Sequence, residues 1–377
     1  MALDFGLTVE QEQLKRDVAA VGRKYAHLMH PCDEASELPH ELYLEMGNHK
    51  WMGPFVPEEY GGMGKGAVEF ALITEEISRV GFNGHNPVAQ LERALLLFGV
   101  EEQKRKYLPS CCDGTTVAAV AISEESAGSN WDRMETVARK EGDRYVLNGR
   151  KAHINYGEIA NILLIYAKTD NGISVFLVDT AENEGLTFKK RDPIGLRMEP
   201  LADIYIKDCV LTKENLIGQE GQARDIFFAS FNLSRIGNAS RLLGICRGAM
   251  ETAIEYAKTK DVGDSKVTDF QGLRWLVAEL YAKIEAATLM SYKAAWKIDQ
   301  NEDPALEVAY AKLLAGNIAD EVTCKIFSLT GGWGLYRDKP FEKFWRDVQV
   351  GKIGGGSLEV LRNFIARRLL GKPQGKQ

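Results

Sequence analysis

The spacing of apolar residues changes twice along this chain, and that double change limits the folds open to it. From about residue 7 to residue 115, apolar side chains recur three and four positions apart, as in Val18, Val21 and Tyr25 or Leu72, Ile73, Ile77 and Val80. That is the stripe of an amphipathic helix. The stretch 54–64 breaks the stripe with Pro54, Pro57, Gly61, Gly62 and Gly64. From 116 to 217 the helical period gives way to short apolar and β-branched runs at 117–122, 145–147, 162–166, 174–178 and 202–206. The last alternates cleanly; the others are nearly continuous, as buried strands are. Asn148-Gly149, Asn171-Gly172 and Gly185 supply turn residues. Helical spacing then returns over 226–259, 270–300, 305–329 and 358–370.

The expected class is α+β: an N-terminal α-helical domain over 1–115, a central β-barrel-like domain over 116–222, and a C-terminal four-helix bundle over 223–377. A chain of 377 residues that is 45% apolar and 9% aromatic has ample material for packed cores. A formal net charge of −6 argues against a general nucleic-acid surface, while leaving room for a local basic groove. No apolar run reaches the roughly 18–20 residues needed to cross a bilayer, and residues 1–11 do not read as a signal peptide. A cytoplasmic protein without membrane insertion is the expectation. Six cysteines are scattered, and the adjacent pair Cys111–Cys112 could be redox-active or touch a metal. Without CxxC spacing they read as ordinary reduced residues, and no metal site is expected.

Four stretches carry a resemblance. Residues 121–130, Ala-Ile-Ser-Glu-Glu-Ser-Ala-Gly-Ser-Asn, resemble "TEPxAGSD"; residues 147–157, Leu-Asn-Gly-Arg-Lys-Ala-His-Ile-Asn-Tyr-Gly, resemble "LNGxKxWITNG". Gly195-Leu196-Arg197 with 214–218 resembles the closing part of a β domain. Gly331-Gly332-Trp333-Gly334 followed by Phe344-Trp345-Arg346-Asp347 resembles "GGxG…RD". In this order across one chain, they resemble the acyl-CoA dehydrogenases.

That resemblance implies FAD as cofactor, with Ser123 and Ser129 bonding the flavin and pyrophosphate and His153 and Asn155 standing where the family has a tryptophan and a threonine. Lys260 takes the place of an arginine that reaches a neighbouring subunit's FAD, and Ser328 that of a glutamine before Gly332. Ser357 and Glu359 fall at the adenosine end. Lysine keeps the charge but loses the planar fork. Gly263 and Asp264 replace a phenylalanine and a glycine near that pyrophosphate, and Phe270-Gln271 resembles a pair used for packing and interface. Arg235 matches a bundle arginine that supports the active site. A homo- or hetero-oligomer, dimer or homotetramer, is implied because the family's FAD site draws on two chains. An electron-transfer flavoprotein is the implied partner, an acyl-CoA the substrate and fatty acid metabolism the setting.

One departure bears on the chemistry. Family members remove the α-proton of a thioester with a carboxylate while a β-hydride passes to the flavin, so base and flavin must face opposite sides of one C–C bond. Gly355 occupies the base's usual position, and Ser234 occupies the alternative one before the bundle arginine. Three readings follow. A flavoenzyme acting on the CH–CH group of an acyl-CoA, as dehydrogenase or enoyl-CoA reductase, could relocate its proton donor or acceptor to Glu92 or His85. An acyl-CoA eliminase would need no α-proton base, and a substrate bearing a second acidic group would suit Arg93. A catalytically silent subunit of a hetero-oligomer would leave the base to its partner.

Overall fold

The computed structural model describes residues 6–82 and 88–371. Six helices lead: α1 (Val9–Tyr25), α2 (Met29–Ala35), α3 (His40–Asn48), α4 (Ala67–Arg79), α5 (Ala89–Phe98) and α6 (Glu101–Cys112). Helix α1 starts where Thr8 and Gln11 form a reciprocal cap, each side chain taking the other's backbone N–H. Then come β1 (Ala118–Ala121), β2 (Val137–Glu141), β3 (Arg144–Asn155), β4 (Ile162–Thr169), β5 (Gly172–Asp179), β6 (Leu186–Arg191), β7 (Leu201–Thr212) and β8 (Leu216–Ile217). The C-terminal part holds α7 (Ala223–Thr259), a small hairpin of β9 (Asp261–Val262) and β10 (Ser265–Lys266), then α8 (Gln271–Asp299), α9 (Ala305–Lys325), α10 (Phe327–Thr330), α11 (Phe341–Gly351) and α12 (Leu358–Leu370).

The strands form one sheet in the order β6-β7-β3-β2-β4-β5-β8, with β1 parallel to β4. The path has two ends and does not close on itself, so the barrel-like expectation holds only loosely. Asn148-Gly149, expected as a turn, lies inside β3. The register against β7 shifts between Leu147 and Gly149, so the pair forms a bulge in a long strand. Asn171-Gly172 does turn the β4–β5 hairpin.

Helix α4 is the hinge of the packing. Its Ile73 and Ile77 enter the core shared by the N-terminal helices and the sheet, while Phe70 and Ala71 enter the core of the bundle. A helix with apolar faces on both sides must be buried on both. The α4 backbone lies directly on α7: a Cβ at Gly244 would sit 2.2 Å from the Glu75 carbonyl oxygen, and one at Gly248 1.9 Å from that of Arg79. Only glycine permits that approach.

The "RD" signature ties the three parts together. Arg346 on α11 donates to Asp33 in the N-terminal part at 2.6 Å and to the Ile194 carbonyl in the β part at 3.0 Å. Asp347 accepts the Leu196 amide at 2.6 Å and the Lys343 ammonium at 2.5 Å.

Candidate functional site

The turn between α11 and α12 brings Gly355 and Gly356 into the left-handed region, with φ of 74° and 96°. Glycine is the residue that adopts this without steric cost. Three side chains hold the turn. Arg235 Nε donates to the Gly355 carbonyl at 3.0 Å, Asn238 Nδ2 to that of Gly354 at 3.0 Å, and Lys312 Nζ to that of Gly351 at 2.5 Å. Arg235 and Asn238 are three residues apart on α7 and so share a face; Lys312 comes from α9. A Cβ at Gly355 would lie 3.4 Å from Asn238 Nδ2, 3.7 Å from Lys312 Cε and 3.8 Å from Arg235 Cγ. The groups nearest that position are thus an amide and two cations, with no carboxylate among them.

The electrostatics follow from burial. The Arg235 guanidinium lies 4.5 Å over the Phe231 ring, and desolvation lowers its pKa to about 10. Lys312 is fully buried. Desolvation first, then the like charges of Arg241 and Arg235, bring its ammonium down to about 7. Arg241, two turns along α7 from Arg235, is paired with Glu199 at 2.6 Å, both buried. The second Glu199 oxygen accepts Asn155 Nδ2 at 2.5 Å. Burial raises the Glu199 carboxyl even so. Glu199 therefore joins the end of β3 to the bundle helix that carries Arg235.

The other sequence-derived positions fall into separate groups. Ser123 follows β1, half-buried, and its carbonyl accepts the Ala152 amide at 2.8 Å; Ser129 is exposed on the next loop. His153 sits at φ 59° beside a second shift in the β3–β7 register and is exposed. Its amide donates to Asp203 at 3.3 Å. Asn155 is exposed, but its amide nitrogen is committed to Glu199. Two residues before His153 on β3, Lys151 is fully buried, donating to Glu124 at 2.7 Å and to the Ile122 carbonyl at 3.2 Å. A Cβ on Gly128 would meet nothing within 4 Å. An open ledge of hydroxyls and loop amides beside a strand end, stiffened by a buried ion pair, fits the edge of a flavin, which needs a few aimed hydrogen bonds.

Lys260 closes α7, 25 residues beyond Arg235, or about 38 Å at the helical rise. Ser328 and Gly332 are exposed at that same end, where Trp333 stacks on Tyr256 with centroids 4.0 Å apart. These three are not brought to the Gly355 turn of their own chain. Ser357 caps α12 by accepting the Val360 amide at 3.4 Å, and Glu359 is exposed and paired with Arg362 at 3.0 Å.

Glu92 is fully buried on α5. One carboxylate oxygen lies 3.8 Å from Cys112 Sγ; the other, Oε2, has no partner among the described residues. Desolvation lifts its carboxyl well above the usual range. It meets Cys112 and the Gly53 loop in the N-terminal core, not the groups around Gly355. Arg93, its neighbour, is half-buried, feels Asp299 and leaves its Nε unpaired among the described residues. His85 lies outside the described residues.

Sequence reasoning did not single out Lys312, Asn238, Arg241 or Glu199. The available signal was Lys312 itself, a lysine within the apolar stripe Val308, Ala311, Ala315 and Ala319.

Comparison with known proteins matches three family models in order: acyl-CoA dehydrogenase N-terminal domain over residues 8–115, middle domain over 119–209 and C-terminal domain over 224–370. A "3-(aryl)acrylate reductase" of Clostridium sporogenes is 33% identical, aligned over 96% of this chain and 99% of its own. A "Caffeyl-CoA reductase-Etf complex subunit" of Acetobacterium woodii is 32% identical over 96% and 99%. The solved structure of butyryl-CoA dehydrogenase from Megasphaera elsdenii superposes with a TM-score of 0.93 at 29% identity, covering 98% of this chain and 100% of that one.

Proposed function

The chain belongs to the acyl-CoA dehydrogenase family, with FAD as its cofactor, and we propose that it reduces the α,β-double bond of an enoyl-CoA thioester. The observation that carries the direction is the Gly355 turn. Among the described residues, none of the three side chains nearest that position is a carboxylate able to remove an α-proton, whereas Arg235 and Lys312 there bear protons. Dehydrogenation needs an acceptor at the α-carbon; reduction needs a donor. Bound FAD, once reduced by its electron donor, would supply the hydride, held by Ser123, Ser129 and the loop between them with His153 and Asn155 alongside. Arg235 and Asn238 fix the turn against which the thioester would lie. Lys312, with a pKa of about 7, can hold or release a proton near neutrality. Two reductases among the relatives support this direction.

An electron-transfer flavoprotein is the proposed electron donor, supported by the complex named for the Acetobacterium relative. The proposed assembly is a homo-oligomer, dimer or tetramer, in which Lys260, Ser328 and Gly332 serve the FAD of a neighbouring copy. Their separation from Gly355 along α7 supports this, as do Phe270, Trp275 and Trp296 exposed along α8.

The test is anaerobic. The purified flavoprotein is reduced and mixed with matched enoyl- and acyl-CoA thioesters while flavin absorbance is followed. Reoxidation by the enoyl thioester faster than bleaching by the saturated one is expected. A chain that binds no flavin, or one bleached by saturated thioesters alone, overturns the reading.

A further inference from the structure

Among the described residues three lysines are buried: Lys151, Lys312 and Lys343. Two have a carboxylate, Glu124 at 2.7 Å and Asp347 at 2.5 Å. Lys312 has a carbonyl oxygen, and forms no ion pair among the described residues. The same holds for Arg235, whose partners are a carbonyl and an aromatic face. Arg241, whose charge Lys312 feels, is buried and paired with Glu199 at 2.6 Å, so that carboxylate is already committed. Buried charge without a counter-charge is costly, and proteins that retain it generally pair it.

The side chains of Lys312 and Arg235 pass close to one place. Lys312 Cε and Arg235 Cγ are the carbons closest to the side-chain position that Gly355 leaves empty, and Asn238 Nδ2 is nearer still. Asn238 is itself buried, and its Nδ2, which donates one N–H to the Gly354 carbonyl, carries a second. Helix α12 begins three residues beyond Gly355 with its N-terminus beside the same turn, adding positive potential. We infer that the hollow at Gly355 is an anion site for a carboxylate the chain does not supply, held by Lys312 and Arg235 with Asn238 completing it. The carboxylate is either a second acidic group on the acyl chain of the thioester or a small free carboxylate ion. Substrate recognition of this kind rests on the acyl-CoA reading above; the anion site itself does not. An anion there also keeps Lys312 protonated, the state in which it can donate.

The test uses the whole purified protein and two probes. Formate is titrated by calorimetry and thermal shift, with chloride as control. Binding of succinyl-CoA is compared with that of butyryl-CoA, a thioester of equal chain length without the carboxylate. Saturable formate binding that chloride does not reproduce is expected, and Lys312→Met should abolish it. Gly355→Asp, which places a carboxylate in the hollow, should abolish it too and guards against a folding defect in the first variant. If the carboxylate belongs to the substrate, succinyl-CoA binds about tenfold or more tightly than butyryl-CoA and formate competes with it. If it is free, formate binds and the two thioesters are equal. Absence of saturable formate binding together with equal thioester affinities overturns the inference, as does formate binding that survives both substitutions. The formate arm reads out on a colourless chain as well, so failure of the flavoenzyme reading would remain distinguishable.

Discussion

Arg235 Nε and the Gly355 carbonyl oxygen are 3.0 Å apart, joining the middle of α7 to a turn 120 residues later in the chain. The arginine is thereby a support for the backbone of the turn. Replacing it with leucine leaves the Gly355 carbonyl short of a donor, at a cost of about 1–3 kcal/mol. Arg235→Leu should lower the denaturation midpoint accordingly and reduce the rate of flavin reoxidation. An unchanged midpoint by chemical denaturation would show that the turn does not depend on this bond.

Gly355 is more than a position lacking a side chain. At φ 74° any other residue is strained, although a Cβ there would meet its neighbours at 3.4 Å or more. Gly355→Ala should therefore cost about 1–2 kcal/mol, almost wholly from backbone conformation. Gly355→Glu should cost at least as much and would not by itself turn the protein into an efficient dehydrogenase. Urea titration measures the first claim; bleaching by saturated thioesters measures the second.

Glu92 gives a prediction whose sign is fixed by its environment. Its carboxyl is raised in the folded state, so its contribution to stability is present below the unfolded carboxylate range and fades as pH rises toward the folded pKa. Glu92→Gln should thus stabilise the protein at pH 8 relative to pH 5. Because the carboxylate faces Cys112, turnover should stay within about threefold of the parent, roughly 0.6 kcal/mol in barrier. Loss of turnover with flavin content intact would restore Glu92 as the proton-transferring group.

Lys312 behaves in the opposite sense. Its folded pKa of about 7 lies below its ordinary value of 10.5, so stability is fully present above the higher figure and is lost as pH falls through the lower. Between those values the parent protein should gain stability with pH relative to Lys312→Met, by at most about 1.4 kcal/mol per pH unit. The comparison is made in carboxylate-free buffer. Parallel pH profiles for the two proteins would show that Lys312 stays charged throughout.

The helical segments were legible because their apolar stripes were long: 226–259 and 358–370 were expected, and α7 spans Ala223–Thr259 and α12 Leu358–Leu370. Helix α11 was read as a signature motif because it is short, and the charged Arg346 and Asp347 within it have partners in other parts of the chain. Strands β2 and β6 were missed for a related reason, being mostly exposed and charged. The bulge at Asn148-Gly149 imitates a hairpin turn because both need glycine's backbone freedom, and only the pairing with β7 tells them apart.

Periodicity and local motifs, which are properties of neighbouring residues, determined the order of helices and strands, the family and the absence of a carboxylate at residue 355. What surrounds that glycine was decided by packing. Lys312, Asn238, Arg241 and Glu199 reach it or its flanking helix from α9, α7 and the loop before β7. Each is an unremarkable polar residue in its own segment, and the charge imbalance among them exists only once three distant stretches share one dry volume.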